Sequence, residues 1–125
     1  MHDLTAIEIK AFVPAKDFEL SKRFYQDLGF DVSWSSEGLA YIQLGNTSFL
    51  LQEFPNGIDN FMMHLLVQNV DAWWAHVQER DIVAKYGVMI ESVSDKPWGL
   101  RDFAISDPSS VLWRIGQNIA TTKMA

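Results

Sequence analysis

Apolar and polar residues alternate over residues 5–13, where Ile7, Ile9 and Ala11 interleave with Glu8, Lys10 and Phe12. A period of two sends successive side chains to opposite faces of a strand, so a strand is predicted there. Pro14 ends it, having no N–H for a ladder. The period then lengthens. Leu20, Phe24 and Leu28 form one apolar stripe of a helix capped by Asp17 and stopped by Gly29. Three short strands follow at 30–35, 39–44 and 47–54, with turns at Glu37-Gly38 and Gly45-Asn46.

The same order returns after the turn cluster Pro55-Asn56-Gly57. A strand is predicted at 61–67. Asn69 or Asp71 then caps a helix with apolar positions at Val70, Trp73, Trp74 and Val77. Trp73 and Trp74 are adjacent on that helix, so they face different neighbours and at least one belongs to the core. Residues 80–86 read as a continuation or an irregular connector. Strands follow at 88–93, 101–106 and 111–115, the last two joined by a turn at Asp107-Pro108-Ser109-Ser110. The fold class expected is α+β: two tandem β-α-β-β-β modules, about 5–55 and 60–117, forming a curved mixed sheet around a cleft. Neither module alone has enough core, so they are expected to pack as a single domain over 1–125, with a frayed tail at 121–125.

Composition narrows the function classes. Hydrophobic residues make up 48% of the 125 and charged residues 21%, which is a globular balance. No cysteine is present, which removes disulfides, thiolate metal sites and a cysteine nucleophile. The net charge of −6 and the lack of a basic run argue against a nucleic-acid partner. No basic-then-apolar leader is visible at the amino terminus, and no apolar run is long enough to span a bilayer. A cytoplasmic protein with no membrane partner is expected. There is no Gly-x-Ser-x-Gly elbow and no phosphate-binding glycine loop, so no catalytic residue is assigned.

Three stretches carry a family resemblance. Ser21–Phe30, with Phe24-Tyr25 and Leu28-Gly29-Phe30, resembles a family helix end; Val67–Ala72 resembles the start of that family's second helix. Lys96-Pro97-Trp98-Gly99-Leu100-Arg101-Asp102-Phe103, followed by Asp107-Pro108, is the most specific. Together they resemble the vicinal oxygen chelate superfamily, which includes glyoxalase I, extradiol dioxygenases and bleomycin-resistance proteins. The bleomycin-resistance-like members are nearest in motif. Each motif also has an ordinary structural reading: Phe24 and Tyr25 as core, Gly29 as a helix cap, Asp107-Pro108 as a turn.

Metal-dependent members of that superfamily place His or Glu at positions that fall here on Glu8, Gln52, Met62 and Arg114. Only Glu8 is a good ligand for a hard cation, and Arg114 brings a fixed positive charge. His64, two residues beyond Met62, is the one further candidate; as a lone histidine on an apolar strand it reads better as a packed residue. Neither a metal nor another cofactor is expected.

Glu8, Lys10 and Phe12 share one strand face and are expected to line a ligand cleft, with His64 and Arg114 facing them from the second module. Trp34, Tyr41 and Trp98 are further wall candidates. Glu8 and Arg114 are expected to pair across the space that elsewhere holds a metal. The resemblance implies a homodimer. The function expected is metal-independent binding of a small organic molecule, bleomycin-resistance-like, sequestering a drug or metabolite. The alternative is a lyase or isomerase of the glyoxalase type, either with a metal on Glu8 and His64 or metal-free, with Glu8 or His64 as general base and Arg114 steadying an oxyanion.

Overall fold

A computed structural model describes residues 2–119. The first module runs β1 (Phe12–Ala15), α1 (Phe18–Leu28), β2 (Asp31–Ser36), β3 (Leu39–Leu44) and β4 (Thr47–Glu53). The second runs β5 (Met62–Leu66), α2 (Val70–Glu79), α3 (Ile82–Tyr86), β6 (Ile90–Asp95), β7 (Leu100–Ser106) and β8 (Leu112–Asn118). Hydrogen bonding divides the strands into two four-stranded sheets of one topology, β1-β4-β3-β2 and β5-β8-β7-β6. Each first strand lies parallel to the last strand of its module, and the remaining pairs are antiparallel. The expected α+β class and tandem β-α-β-β-β order are both present.

Local chemistry explains the element ends. Asp17 accepts a hydrogen bond from the Leu20 amide (3.1 Å) and Asn69 one from the Ala72 amide (3.1 Å), each occupying an N–H that a helix start leaves unpaired. Asn69, rather than Asp71, is thus the cap of α2. Gly29 ends α1 at φ 123°, a conformation that strains any residue with a Cβ. The segment 80–86 turns out to hold a separate short helix: Asp81, left-handed at φ 53°, breaks the chain between α2 and α3.

One expectation fails at the amino terminus. The strand predicted over 5–13 and ended by Pro14 forms only from Phe12 and runs on through Pro14 to Ala15 on the sheet edge; residues 2–11 belong to no strand, although the Ala11 carbonyl accepts from the Leu50 amide. The register explains the part before Ile9. Phe12 lies opposite Leu50, so the chain before Ile9 extends past Thr47, the first residue of β4. The alternation read there is real, but Ile7 and Ile9 stand 89% and 94% exposed. The tail at 121–125 lies outside the described residues.

Both sheets turn alternate residues inward to one apolar cluster. Ala40, Ile42, Phe49 and Leu51 come from the first sheet, and Phe103, Ile105, Trp113 and Ile115 from the second. The Phe49 and Trp113 rings meet at 5.3 Å. Phe24, Tyr25 and Leu28 of α1 join them, as their motif suggested, with Val70 and Val77 of α2. Each such side chain contributes roughly 1.5–3 kcal/mol by leaving water. Trp73 and Trp74 diverge as expected, Trp73 toward Phe30 and Trp74 onto Phe103 at 5.3 Å.

Two polar seams tie the modules. Tyr25 donates its hydroxyl to Asp107 (2.5 Å) and accepts from Trp113 Nε1 (2.9 Å). Asp107 also accepts from the Ser109 and Val111 amides. Burial raises the Asp107 pKa against the lowering effect of those bonds, and burial beside Asp107 raises that of Tyr25. Nearer solvent, Asp27 accepts from Tyr86 and pairs with Arg80 and Lys85. The Tyr86 hydrogen bond holds the Asp27 carboxyl below its ordinary value, and burial pushes the Tyr86 phenol up to about 12.

Candidate functional site

Since the inner faces meet in one core, the other face of each sheet points away from it. These two open faces carry the residues singled out in the sequence. On the first, register aligns Phe12, Leu50, Tyr41 and Trp34 in one row across all four strands. Phe12 and Trp34 are 53% and 51% exposed. The amino-terminal arm runs over this face. Glu8 pairs with Lys10 and accepts from the Tyr41 hydroxyl (2.9 Å) and Ser48 Oγ (3.1 Å). The Lys10 hydrogen bond, then that of Tyr41, holds the Glu8 carboxyl below its usual range. The Lys10 ammonium lies 4.8 Å above the Tyr41 ring.

On the second sheet the corresponding row is His64, Arg114, Ala104 and Glu91. Here the chemistry is ionic. Arg114 Nη1 reaches Asp102 Oδ1 at 3.3 Å and Glu91 Oε2 at 3.4 Å. Lys96 Nζ reaches the same two carboxylates, Glu91 at 2.9 Å and Asp102 at 3.7 Å. Its hydrogen bond lowers the Glu91 pKa. The Trp98 ring, 59% exposed, stands 5.9 Å from the Arg114 guanidinium carbon. At one end of this face Met62 and Leu112 enter a pocket of about 610 Å³, which Lys16, Ile58, Met89 and Ser110 also line.

The expected Glu8–Arg114 pair does not form. Glu8 is held by Lys10, Tyr41 and Ser48 on the first sheet, and Arg114 by Asp102 and Glu91 on the second. Each charge found a partner within its own module: Glu8 two residues along the arm, Arg114 on the neighbouring strands of its sheet. The structure groups Glu8, Lys10 and Tyr41, with Phe12 and Trp34 in the adjoining row; it groups Arg114 with His64 and Trp98.

The superfamily's metal positions do not fit an ion here. Met62 and Arg114 supply no donor suited to a hard cation, and Glu8 is engaged elsewhere. Among the described residues no three His, Asp or Glu side chains are placed to hold a metal ion. Asp102, Glu91 and Lys96 were missed as site residues. Strand alternation carried a signal for Asp102, because a core-facing Phe103 sends its neighbour to the open face.

Residues 7–115 match the Glyoxalase/Bleomycin resistance protein/Dioxygenase superfamily. The chain belongs to this superfamily. Among curated proteins none matches it. Superfamily folds of known structure overlay nearly the whole chain. A bleomycin-binding protein complexed with bleomycin is 20% identical, with TM-score 0.77, covering 91% of this chain and 100% of its own. An antibiotic binding protein from Streptomyces sp. CB03234 is 26% identical, with TM-score 0.75, covering 94% and 100%. A lactoylglutathione lyase from Agrobacterium tumefaciens is 16% identical, with TM-score 0.71, covering 92% and 96%. Binding proteins and a lyase thus share this superfamily fold, and the chemistry must be read from the faces themselves.

Proposed function

We propose that this chain is a metal-independent binding protein for a small organic molecule, acting by sequestration in the manner of a bleomycin-resistance protein. The observation that carries this reading is the pair of open faces, each setting a half-exposed indole beside a few polar groups: Trp34 near Tyr41 and Lys10, and Trp98 on Arg114. Exposed aromatic rings beside convergent polar groups suit a planar organic ligand. The drug-binding superfamily members with the same fold support the reading. Glu8, Phe12 and His64 complete the proposed contacts.

A homodimer of single-domain subunits is part of the proposal, with ligand enclosed where open faces of two copies meet. The arm supports it: Ile7 and Ile9 alternate as a strand does, yet none of the described residues covers them. No described helix is long and apolar enough to cross a membrane. We place the protein in the cytoplasm, where a sequestered drug or metabolite would be met.

The test combines metal analysis of protein purified without chelator with calorimetric titration of planar aromatic compounds. Binding by metal-free protein, lost in the Trp34→Ala/Trp98→Ala double variant, is expected. Stoichiometric metal removed by Glu8→Ala would overturn the reading in favour of a metal-dependent lyase.

A further inference from the structure

Asp102 carries a polar atom that the fold buries without a partner. Its side chain is fully buried, although it sits on the open face of β7 and not in the apolar core. Oδ1 is held by Arg114 at 3.3 Å and approached by Lys96 at 3.7 Å. Among the described residues Oδ2 has no hydrogen-bond partner. A buried carboxylate oxygen without a donor is costly, so such an atom calls for an explanation.

The strand opposite makes room for this carboxylate. Gly116 lies directly across from Asp102, and a Cβ there would come within 3.0 Å of the Asp102 Cβ and 3.7 Å of His64 Nε2. Gly116 has no positive φ, so its backbone does not demand glycine; its benefit here is space. Oδ2 is itself shut off from solvent, and Lys96 and Arg114, long flexible side chains that both contact the carboxylate, are the ones whose shift would uncover it; Trp98 flanks Arg114.

We infer that Asp102 Oδ2 is the acceptor for a hydrogen-bond donor on the ligand, and that this donor is an uncharged O–H or N–H group attached to a planar ring. The inference rests on the proposed binding function and names its ligand class. Neutrality follows from the charges present. Asp102 and Glu91 are balanced by Arg114 and Lys96, which touch both carboxylates. A cationic ligand would have to bring a third positive charge against two already in place. A phenol, an enol or an amide brings a donor to the unpartnered oxygen without adding charge, and Trp98 beside the cluster offers a surface for its ring.

Calorimetry of the full chain with three probes tests this: naphthol, its methyl ether, and naphthylmethylammonium. Naphthol is expected to bind about tenfold or more tighter than the ether, the usual worth of a hydrogen bond to a charged acceptor. It should also exceed the ammonium compound. In Asp102→Asn, Arg114 and Lys96 keep the amide oxygen at the Oδ1 position, so an NH2 replaces Oδ2. The preference for naphthol over ether should then fall to within about twofold. Equal binding of naphthol and ether by the wild-type chain would overturn the inference and leave the binding function intact; this comparison does not depend on any variant folding. Tighter binding of the ammonium compound, or a preference that survives Asp102→Asn, would also overturn it. No saturable binding of any probe would overturn the binding function itself.

Discussion

Across the first sheet the open face reads Phe12, Leu50, Tyr41, Trp34; across the second, on the matching strands, it reads His64, Arg114, Ala104, Glu91. One topology has therefore produced an aromatic surface and an ionic one. The inner faces show no such divergence, since both are apolar and share one cluster. The core constrains residues to be large and apolar wherever they meet the other module. The open faces are free of that demand, and differences between the modules are concentrated there. The ionic face closes on itself, with two cations bridging two carboxylates, while the aromatic face leaves its rings half-exposed.

The largest effect is expected from removing the seam beneath both faces. Tyr25→Phe leaves Trp113 Nε1 without its acceptor and Asp107 Oδ2 without its donor, both in the core. A loss of about 2–4 kcal/mol in urea unfolding is expected. If the loss is below about 0.5 kcal/mol, the two sheets do not depend on this seam.

Next comes the ionic face. Arg114→Met strips the nearer cation from buried Asp102 while keeping bulk, and about 2 kcal/mol should be lost. Glu8→Gln on the aromatic face should change the melting temperature far less, because Glu8 is exposed to water. Equal effects from the two variants would erase the contrast between the faces.

A smaller stability effect, within about 0.5 kcal/mol, is expected from Trp34→Ala or Trp98→Ala, since both rings are largely exposed. Their effect should fall on binding of aromatic compounds, read by calorimetry.

The smallest effect is pH-dependent. Hydrogen bonds from Lys10 and from Lys96 lower the pKa of Glu8 and Glu91 respectively. A lowered carboxylate contributes stability above its ordinary value, here 4.5, and loses it as pH falls through the lowered one. Thermal melts should thus show a slight acid-side decline that Glu91→Gln reduces. Asp107, raised by burial, works with the opposite sign: its ionisation costs stability as pH rises from 3.8 through the raised value. Melts of Asp107→Asn should lack that component.

Much of the fold could be read from local patterning. Strand alternation, the Asp17 and Gly29 ends of α1, and the repeat of element order all follow from nearest-neighbour chemistry, and each was visible in the chain. The candidate site was only half legible. Residue types marked Glu8, Lys10, Tyr41 and Trp98 as unusual; Glu8 and Lys10 pair locally, but their further partners lie on other strands. Glu8 meets Ser48 forty positions away, and Arg114 meets Asp102 across one strand pair instead of Glu8 across the modules.

The sequence by itself determined the order of strands and helices, the apolar face of the paired strands, and the absence of cysteine chemistry. Those properties depend on backbone propensity and side-chain type, which act over a few residues. Only the tertiary structure decided that the arm runs past the start of β4, that Glu8 and Arg114 part company, and that Asp102 is buried with one oxygen unpartnered among the described residues. Register and pairing set these outcomes, because a charge settles on whichever partner the sheet brings nearest.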